Sequence, residues 1–307
     1  MTHDAFNFAS LLPLGQGTEL VESLYSYALR LAHAHSIRPN TFVQTFGPLT
    51  GQNQRTAAGW TEQLHDTSFS GCGAGTLAWV NFLGRKTGVA GLGQLTTLCW
   101  GHTLTRRGSG ASVRKWCPHC LDDSLAHGAP YTQLAWTIGI VTACPVHECK
   151  LETACAHCDN GRTATGRAAK RFAFSAPGVC GGCDGWLGAY DARDRGLAPR
   201  GVEAATGHEE SIAAQVASVL AKPLEEGESL SAYRVLDAAA SRYFGSSMVA
   251  LAQWLGLNKS TVHGWMKGTV VPELGRLVEL SLKLRMPLRD LLVGNVAALP
   301  DTLIEKS

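Results

Sequence analysis

Eight residues of this sequence fall into four pairs, each with two residues between its members: Cys117 and Cys120, Cys144 and His147, Cys155 and Cys158, Cys180 and Cys183. That spacing lets a tight turn aim two side chains at one ion while backbone amides face the thiolates. A structural zinc takes four such ligands in a tetrahedron, so two pairs complete one site and four pairs complete two. Pairing in chain order gives Cys117, Cys120, Cys144 and His147 as one set and Cys155, Cys158, Cys180 and Cys183 as the other. A cross-braced arrangement would join the first pair with the third and the second with the fourth. The short step from His147 to Cys155 favours chain order. The reading is two Zn2+ per chain, both structural, because a catalytic zinc keeps a coordination position open and both sets here are full. Redox CxxC chemistry would not account for the histidine, and no βαβ pattern lies nearby.

Three of the ten cysteines remain. Cys72 and Cys99 read as ordinary small core residues. Cys149 reads as a free thiol without a role. His119 and His157 sit inside knuckles and are expected to face solvent or a phosphate rather than metal.

The elements that must hold these residues come from a chain of 307 residues, 45% hydrophobic and 17% charged, which is globular and long enough for two or three domains. The start has neither the basic region nor the apolar run of a secretory signal, and the longest apolar stretch is too short for a membrane span. A cytoplasmic location is therefore expected, where cysteines serve metals more often than disulfides. A net charge of +2 is too small to establish a nucleic-acid partner, so local patches must carry that argument. Residues 67–121 contain no Asp or Glu but carry Arg85, Lys86, Arg106, Arg107, Arg114 and Lys115, a one-signed stretch suited to phosphates. Arg106, Arg107, Arg114 and Lys115 are the DNA-contact candidates here. Arg162, Arg167, Lys170 and Arg171 form a second basic run, expected as a loop of the second finger. There is no phosphate-binding loop and no nucleophile–histidine–acid arrangement. The acid pairs Asp122/Asp123 and Glu225/Glu226 read as surface residues, so the protein is not expected to be an enzyme.

Residues 18–35 read as an amphipathic helix with Leu20, Leu24, Tyr27, Ala28 and Leu31 on one face. "PNTFVQTFG" reads as a short second helix, capped by Asn40 and ended by Gly47. The expected fold is mainly α and multi-domain: an N-terminal helical domain over 1–110, two zinc-ribbon-like finger modules over 111–190, a linker with one helix over 191–229, and a helix-turn-helix domain over 230–307. The finger region holds few large apolar residues besides Trp116, Trp136 and Trp186, so metal is expected to replace missing core.

In the last domain, Met248 to Leu255 reads as a helix with Leu251, Ala252 and Leu255 inward. Gly256 allows a turn, Asn258 caps the next helix, Val262 and Trp265 face inward, and Gly268 ends it. The run from Leu251 to Gly268 resembles the Cro/phage-repressor (Xre-like) helix-turn-helix family. That resemblance implies DNA contact from the second helix, with Asn258, Lys259, Ser260, Thr261, His263 and Lys267 as the outward residues. Met248 stands where that family usually has Gln, and Gly264 occupies an outward position usually held by a larger residue.

A wider resemblance rests on "LVESLYSYALRLA" and on Cys117-Pro118, Leu121, Tyr131, Trp136, Cys144-Pro145, His147, Leu151 and Cys155 to Cys158. In order, spacing and type these are similar to the TniQ/TnsD family over about residues 8–190. That resemblance implies a non-catalytic target-selection factor for a DNA transposon. Its partners would be DNA and an AAA+ ATPase regulator, with a transposase, a guide-RNA complex or a second copy of the chain also open. Two other readings stay open: a zinc-containing transcriptional regulator, and a protein-bridging subunit of a guide-RNA complex.

Overall fold

A computed structural model of the chain describes residues 6–50, 69–100, 110–111, 113–158, 174–190, 203–222, 224, 228–270 and 272–303. Arg106, Arg107, the basic run from Arg162 to Arg171, and the pair Glu225/Glu226 lie outside the described residues. The fold is mainly helical. Among the described residues, no helix is long and apolar enough to cross a membrane.

The first helix, α1 (Leu24–Ala34), starts six residues later than the periodicity predicts. Ser23 caps it by accepting a hydrogen bond from the Ser26 amide. Before the cap the chain is extended and paired: Leu134 N–H donates to Val21 O at 2.8 Å, and Ser23 N–H donates to Thr132 O at 2.9 Å. That pairing takes the place of a first helical turn. The helix is buried on every side, not on one face: Leu24, Tyr25, Tyr27, Leu29 and Leu31 are all inaccessible. Its buried polar groups are matched internally. Arg30 donates to Glu22 at 2.6 Å, and the Ser26 hydroxyl donates to the same carboxylate at 2.9 Å. Burial pushes the Glu22 carboxyl up to about 7, against the opposing pull of Arg30.

Helix α2 (Pro39–Phe46) begins on a proline, which suits a first turn whose N–H has no partner. Arg38, not Asn40, is its cap residue, and Gly47 ends it as expected. Helix α3 (Ala74–Thr87) brings Trp79 and Phe82 against Phe8, Phe42, Phe46 and Phe69; Phe69 stacks on Trp79 with ring centres 4.6 Å apart. Trp116, Trp136, Ile138 and Val141 join the same continuous core as α1. Contacts therefore run freely between residues on either side of position 110.

Helix α4 (Pro118–Ala126) starts within the first cysteine pair. A two-stranded antiparallel hairpin, β1 (Phe174–Ala176) and β2 (Val179–Cys180), leads into the last pair. Helix α5 (Gly207–Ala221) carries a full capping box between Thr206 and Glu209 and buries Ala213, Val216, Ala217 and Leu220.

Five helices follow: α6 (Ala232–Phe244), α7 (Met248–Leu255), α8 (Lys259–Met266), α9 (Leu274–Leu284) and α10 (Leu288–Val293). Helix α5 packs on α9, α10 and the turn Leu134–Thr137, so it ties the last five helices to the half that carries the cysteine pairs. His208 of α5 pairs with Glu279 of α9 at 3.1 Å. Leu251, Ala252, Leu255, Val262 and Trp265 are buried, as their spacing predicts. Gly264 corrects the outward placement. It is buried, and an added Cβ would come within 2.7 Å of Val270, because Thr269 and Val270 fold back to donate to its carbonyl.

Candidate metal centres and the basic surface

The first four residues meet in chain order. One ligand atom each from Cys117, Cys120, Cys144 and His147 lies within 4.8 Å of all the others. Cys120 Sγ is 3.5 Å from Cys144 Sγ. His147 Nδ1 is 3.3 Å from Cys120 Sγ and 3.6 Å from both Cys117 Sγ and Cys144 Sγ. A tetrahedron with zinc–sulfur arms of about 2.3 Å has sulfur–sulfur edges of about 3.8 Å, and slightly shorter edges to nitrogen. The cluster has those dimensions. Three buried thiols this close cannot all ionise without a cation. Hydrogen bonding to Cys120 drives the Cys117 thiol up, while hydrogen bonding to Cys117 and Cys120 drives Cys144 down. A divalent ion removes that conflict.

Local structure aims the ligands. Cys117 precedes α4 and Cys120 lies in its first turn, so the helix start sets their separation. Cys144 and His147 sit on a tight turn, closed by Cys144 N–H donating to Cys149 O at 2.8 Å and by His147 N–H donating to Cys144 Sγ at 3.4 Å. His147 Nε2 is 3.1 Å from Asp123 Oδ2. A carboxylate on the far nitrogen of a ligating histidine fixes its tautomer and orientation. Lys115 holds the approach to Cys144: its buried ammonium donates to the carbonyls of Ile138 at 2.7 Å, Gly139 at 3.2 Å and Val141. Burial lowers it to about 8. The stretch after His147 is stitched to the start of α5. Lys150 N–H donates to Glu203 O, Ala205 N–H donates to Glu148 O, and the Lys150 ammonium meets Glu203 at 2.6 Å.

Cys155, Cys158, Cys180 and Cys183 form a second set, their sulfurs all within 4.8 Å of one another. Cys155 Sγ is 3.7 Å from Cys183 Sγ, and Cys158 Sγ is 3.8 Å from Cys180 Sγ. The amides of His157 and Gly182 point at Cys155 and Cys180 sulfurs, each at 3.4 Å. Cys155 and Cys180 are buried; Cys158 and Cys183 are exposed. His157 does not face solvent as expected: its Nε2 lies 2.7 Å from the Trp186 carbonyl. Asp122 ties this site to α4, accepting from Trp186 Nε1 at 2.8 Å and from Tyr190 N–H at 2.9 Å. Gly188 makes room for that bond; a Cβ there would lie 1.9 Å from Asp122 Oδ1.

Asp122 and Asp123 thus each contact one of the two sites: Asp123 from the surface, where it was expected, and Asp122 from a half-buried position. The signal was present. On a helix that begins at the ligand pair, Asp123 stands three residues beyond Cys120, on the same face.

The basic candidates divide. Lys115 is corrected: it is 8% exposed and spent on three carbonyls, so it cannot meet a phosphate. Arg114 donates to the Tyr25 hydroxyl at 2.7 Å and lies over that ring at 4.6 Å. On the C-terminal helices Asn258, Lys259, Ser260, His263 and Lys267 are exposed, and Thr261 is half-buried. Asn258 stands at the cap position of α8, but its side chain makes no capping bond. His263 and Lys267 line a groove of about 680 Å³ between α8 and α6, joined there by Tyr233 and Arg234.

Fold and sites together define a mainly helical protein with two cysteine-rich groups that could each hold a metal ion. Residues 13–151, which contain the whole first cysteine–histidine group, match the TniQ family model. The matched family is one associated with transposition. No curated protein matches the chain.

Proposed function

We propose that the protein is a target-selection adaptor of a DNA transposon, stapled by two structural zinc ions and without catalytic activity of its own. It binds DNA, or a guide complex seated on DNA, and recruits an AAA+ ATPase regulator. The observation that carries this reading is the TniQ match over 13–151, whose metal group is stitched through Lys150, Glu203 and α5 to the C-terminal helices. Zinc fits the donors: three thiolates with one imidazole, and four thiolates, both at tetrahedral spacing. Bound there, it supplies charge neutralisation and a cross-link between distant segments. In that reading α7 and α8 form a helix-turn-helix. Lys259 and Ser260 at the start of α8 approach base edges, while His263, Lys267 and Arg234 approach phosphates.

A gel-shift series in increasing salt tests the DNA contact. A steep fall in affinity supports phosphate neutralisation; no binding at low salt sinks it. Co-purification with an AAA+ ATPase encoded beside this chain supports the adaptor role. A chain that binds DNA and retains no such ATPase would be a regulator instead.

A further inference from the structure

One thiol near the first metal group has no part in the reading above. Cys149 Sγ lies 3.7 Å from Cys117 Sγ. That is the sulfur–sulfur separation found within the second group, 3.7 and 3.8 Å. Cys149 is 4% exposed, so its thiol is packed against the first group rather than offered to solvent. It is nevertheless outside the set of four mutually close ligand atoms. The first group therefore holds four ligands and a fifth donor at the flank of one of them.

The two sides of the group differ. The histidine ligand is the accessible one: its side chain is 23% exposed and leans on Asp123, itself 62% exposed. It borders a groove of about 420 Å³ lined by Leu14, Leu20, Tyr131 and Val146. The three thiol ligands and Cys149 are buried. Cys149 shares the tight turn with His147, and its own carbonyl closes that turn on Cys144 N–H. The chain already holds its sulfur beside one ligand of the group.

We propose that Cys149 is a reserve ligand of the first metal ion, taking the coordination position of His147 when the imidazole leaves. This rests on the reading that the first group holds a metal. With His147 in place, the Cys149 thiol donates a weak S–H hydrogen bond to the metal-bound Cys117 sulfur. In the exchange the His147 Nδ1–metal bond breaks, the Cys149 Sγ–metal bond forms, and the thiol proton goes to solvent. Three thiolates and a neutral imidazole become four thiolates, and the site gains one negative charge. No electron is transferred. The arrangement lets His147 be drawn away by whatever occupies the adjoining groove while the ion stays in the core.

Cobalt(II) loading of the full chain tests this, because its visible spectrum reports tetrahedral geometry and its sulfur-to-metal charge-transfer band grows with the number of thiolates. Wild type binding two ions is the control for the metal reading itself; a wild-type chain that binds none sinks that reading, whatever Cys149 does. The Cys155, Cys158, Cys180 and Cys183 group serves as an internal standard in every variant. His147→Ala is expected to keep two cobalt ions, with a stronger charge-transfer band than wild type. His147→Ala combined with Cys149→Ser is expected to keep one. A His147→Ala chain holding one ion overturns the proposal, and so does a double variant that still holds two. His147→Gln, which keeps a side chain of similar reach, repeats both arms if the alanine variant does not fold. A last arm leaves His147 intact: zinc release to a chelator from Cys149→Ser should be several-fold faster than from wild type, because no thiol remains to hold the ion when the imidazole dissociates. Release at the wild-type rate would overturn the reserve role.

Discussion

The two candidate metal groups share the same ligand spacing and are embedded differently. Cys117, Cys120 and Cys144 lie inside the main core, beside Trp116, Leu121 and Leu134, and their histidine partner is oriented by Asp123. Cys155 and Cys180 are buried, but Cys158 and Cys183 are exposed, and the group stands on a two-stranded hairpin held to α4 by Asp122. The first group is a cross-link within a large core. The second reaches the same core through Cys155 and Cys180 but leaves its other two thiols exposed. Groups built on the same ligand spacing can therefore carry different structural weight, depending on what surrounds them.

Removing one thiol from each group gives the largest test of that contrast. Cys144→Ser should leave one metal ion and unfold far more than the knuckle. A structural zinc contributes on the order of 10 kcal/mol, comparable to the ~5–15 kcal/mol that holds a whole domain. Amide exchange should lose protection in α1 and α4. Cys155→Ser should also leave one ion, yet the lost protection should stay within residues 174–190. If both variants lose protection over the same residues, the two groups do not differ as described.

The ligand set was legible in the sequence because a knuckle is local: two residues of spacing suffice to aim two side chains at an ion. The helices of the last 60 residues were legible for the same reason, since Leu251, Leu255, Val262 and Trp265 repeat at helical spacing. What escaped depended on contacts between distant segments. The start of α1 is set by pairing of Val21 and Ser23 with Thr132 and Leu134, more than 100 residues away. Lys115 looks like a phosphate ligand until the 138–141 carbonyls are placed around it. Gly264 looks outward until Val270 folds over it. The duties of Asp122 and Asp123 appear only once α4 is known to start at Cys117.

The link between the two groups is the next lever. Asp122→Ala removes the acceptor for both Trp186 Nε1 and the Tyr190 amide. Each hydrogen bond to a charged group is worth roughly 1.5–3 kcal/mol. Both metal ions should remain, with faster exchange confined to residues 174–190. Gly188→Ala should act in the same direction by blocking the Asp122–Trp186 contact. A drop in metal content in Asp122→Ala would mean the second group needs α4 to exist, and it would no longer count as peripheral.

The smallest expected effects come from two lysines, and they extend the same contrast between embedded and peripheral groups to charge. Lys115→Met keeps the aliphatic stem but removes the ammonium donor from the carbonyls of Ile138, Gly139 and Val141, of which Ile138 keeps the Val141 N–H. Stability should fall by roughly 1–3 kcal/mol, seen as a lower melting temperature. The salt dependence of DNA binding should not change, because the ammonium never reaches a phosphate. Lys267→Ala should do the reverse. It is exposed at the end of α8, so melting should be unaltered, while the slope of log affinity against log salt should shrink by about 0.9, the share of one neutralised phosphate. An unchanged slope in Lys267→Ala, with wild type still binding DNA, would move the phosphate contact off the groove between α6 and α8. A shallower slope in Lys115→Met would show that the buried lysine leaves its carbonyls when DNA binds.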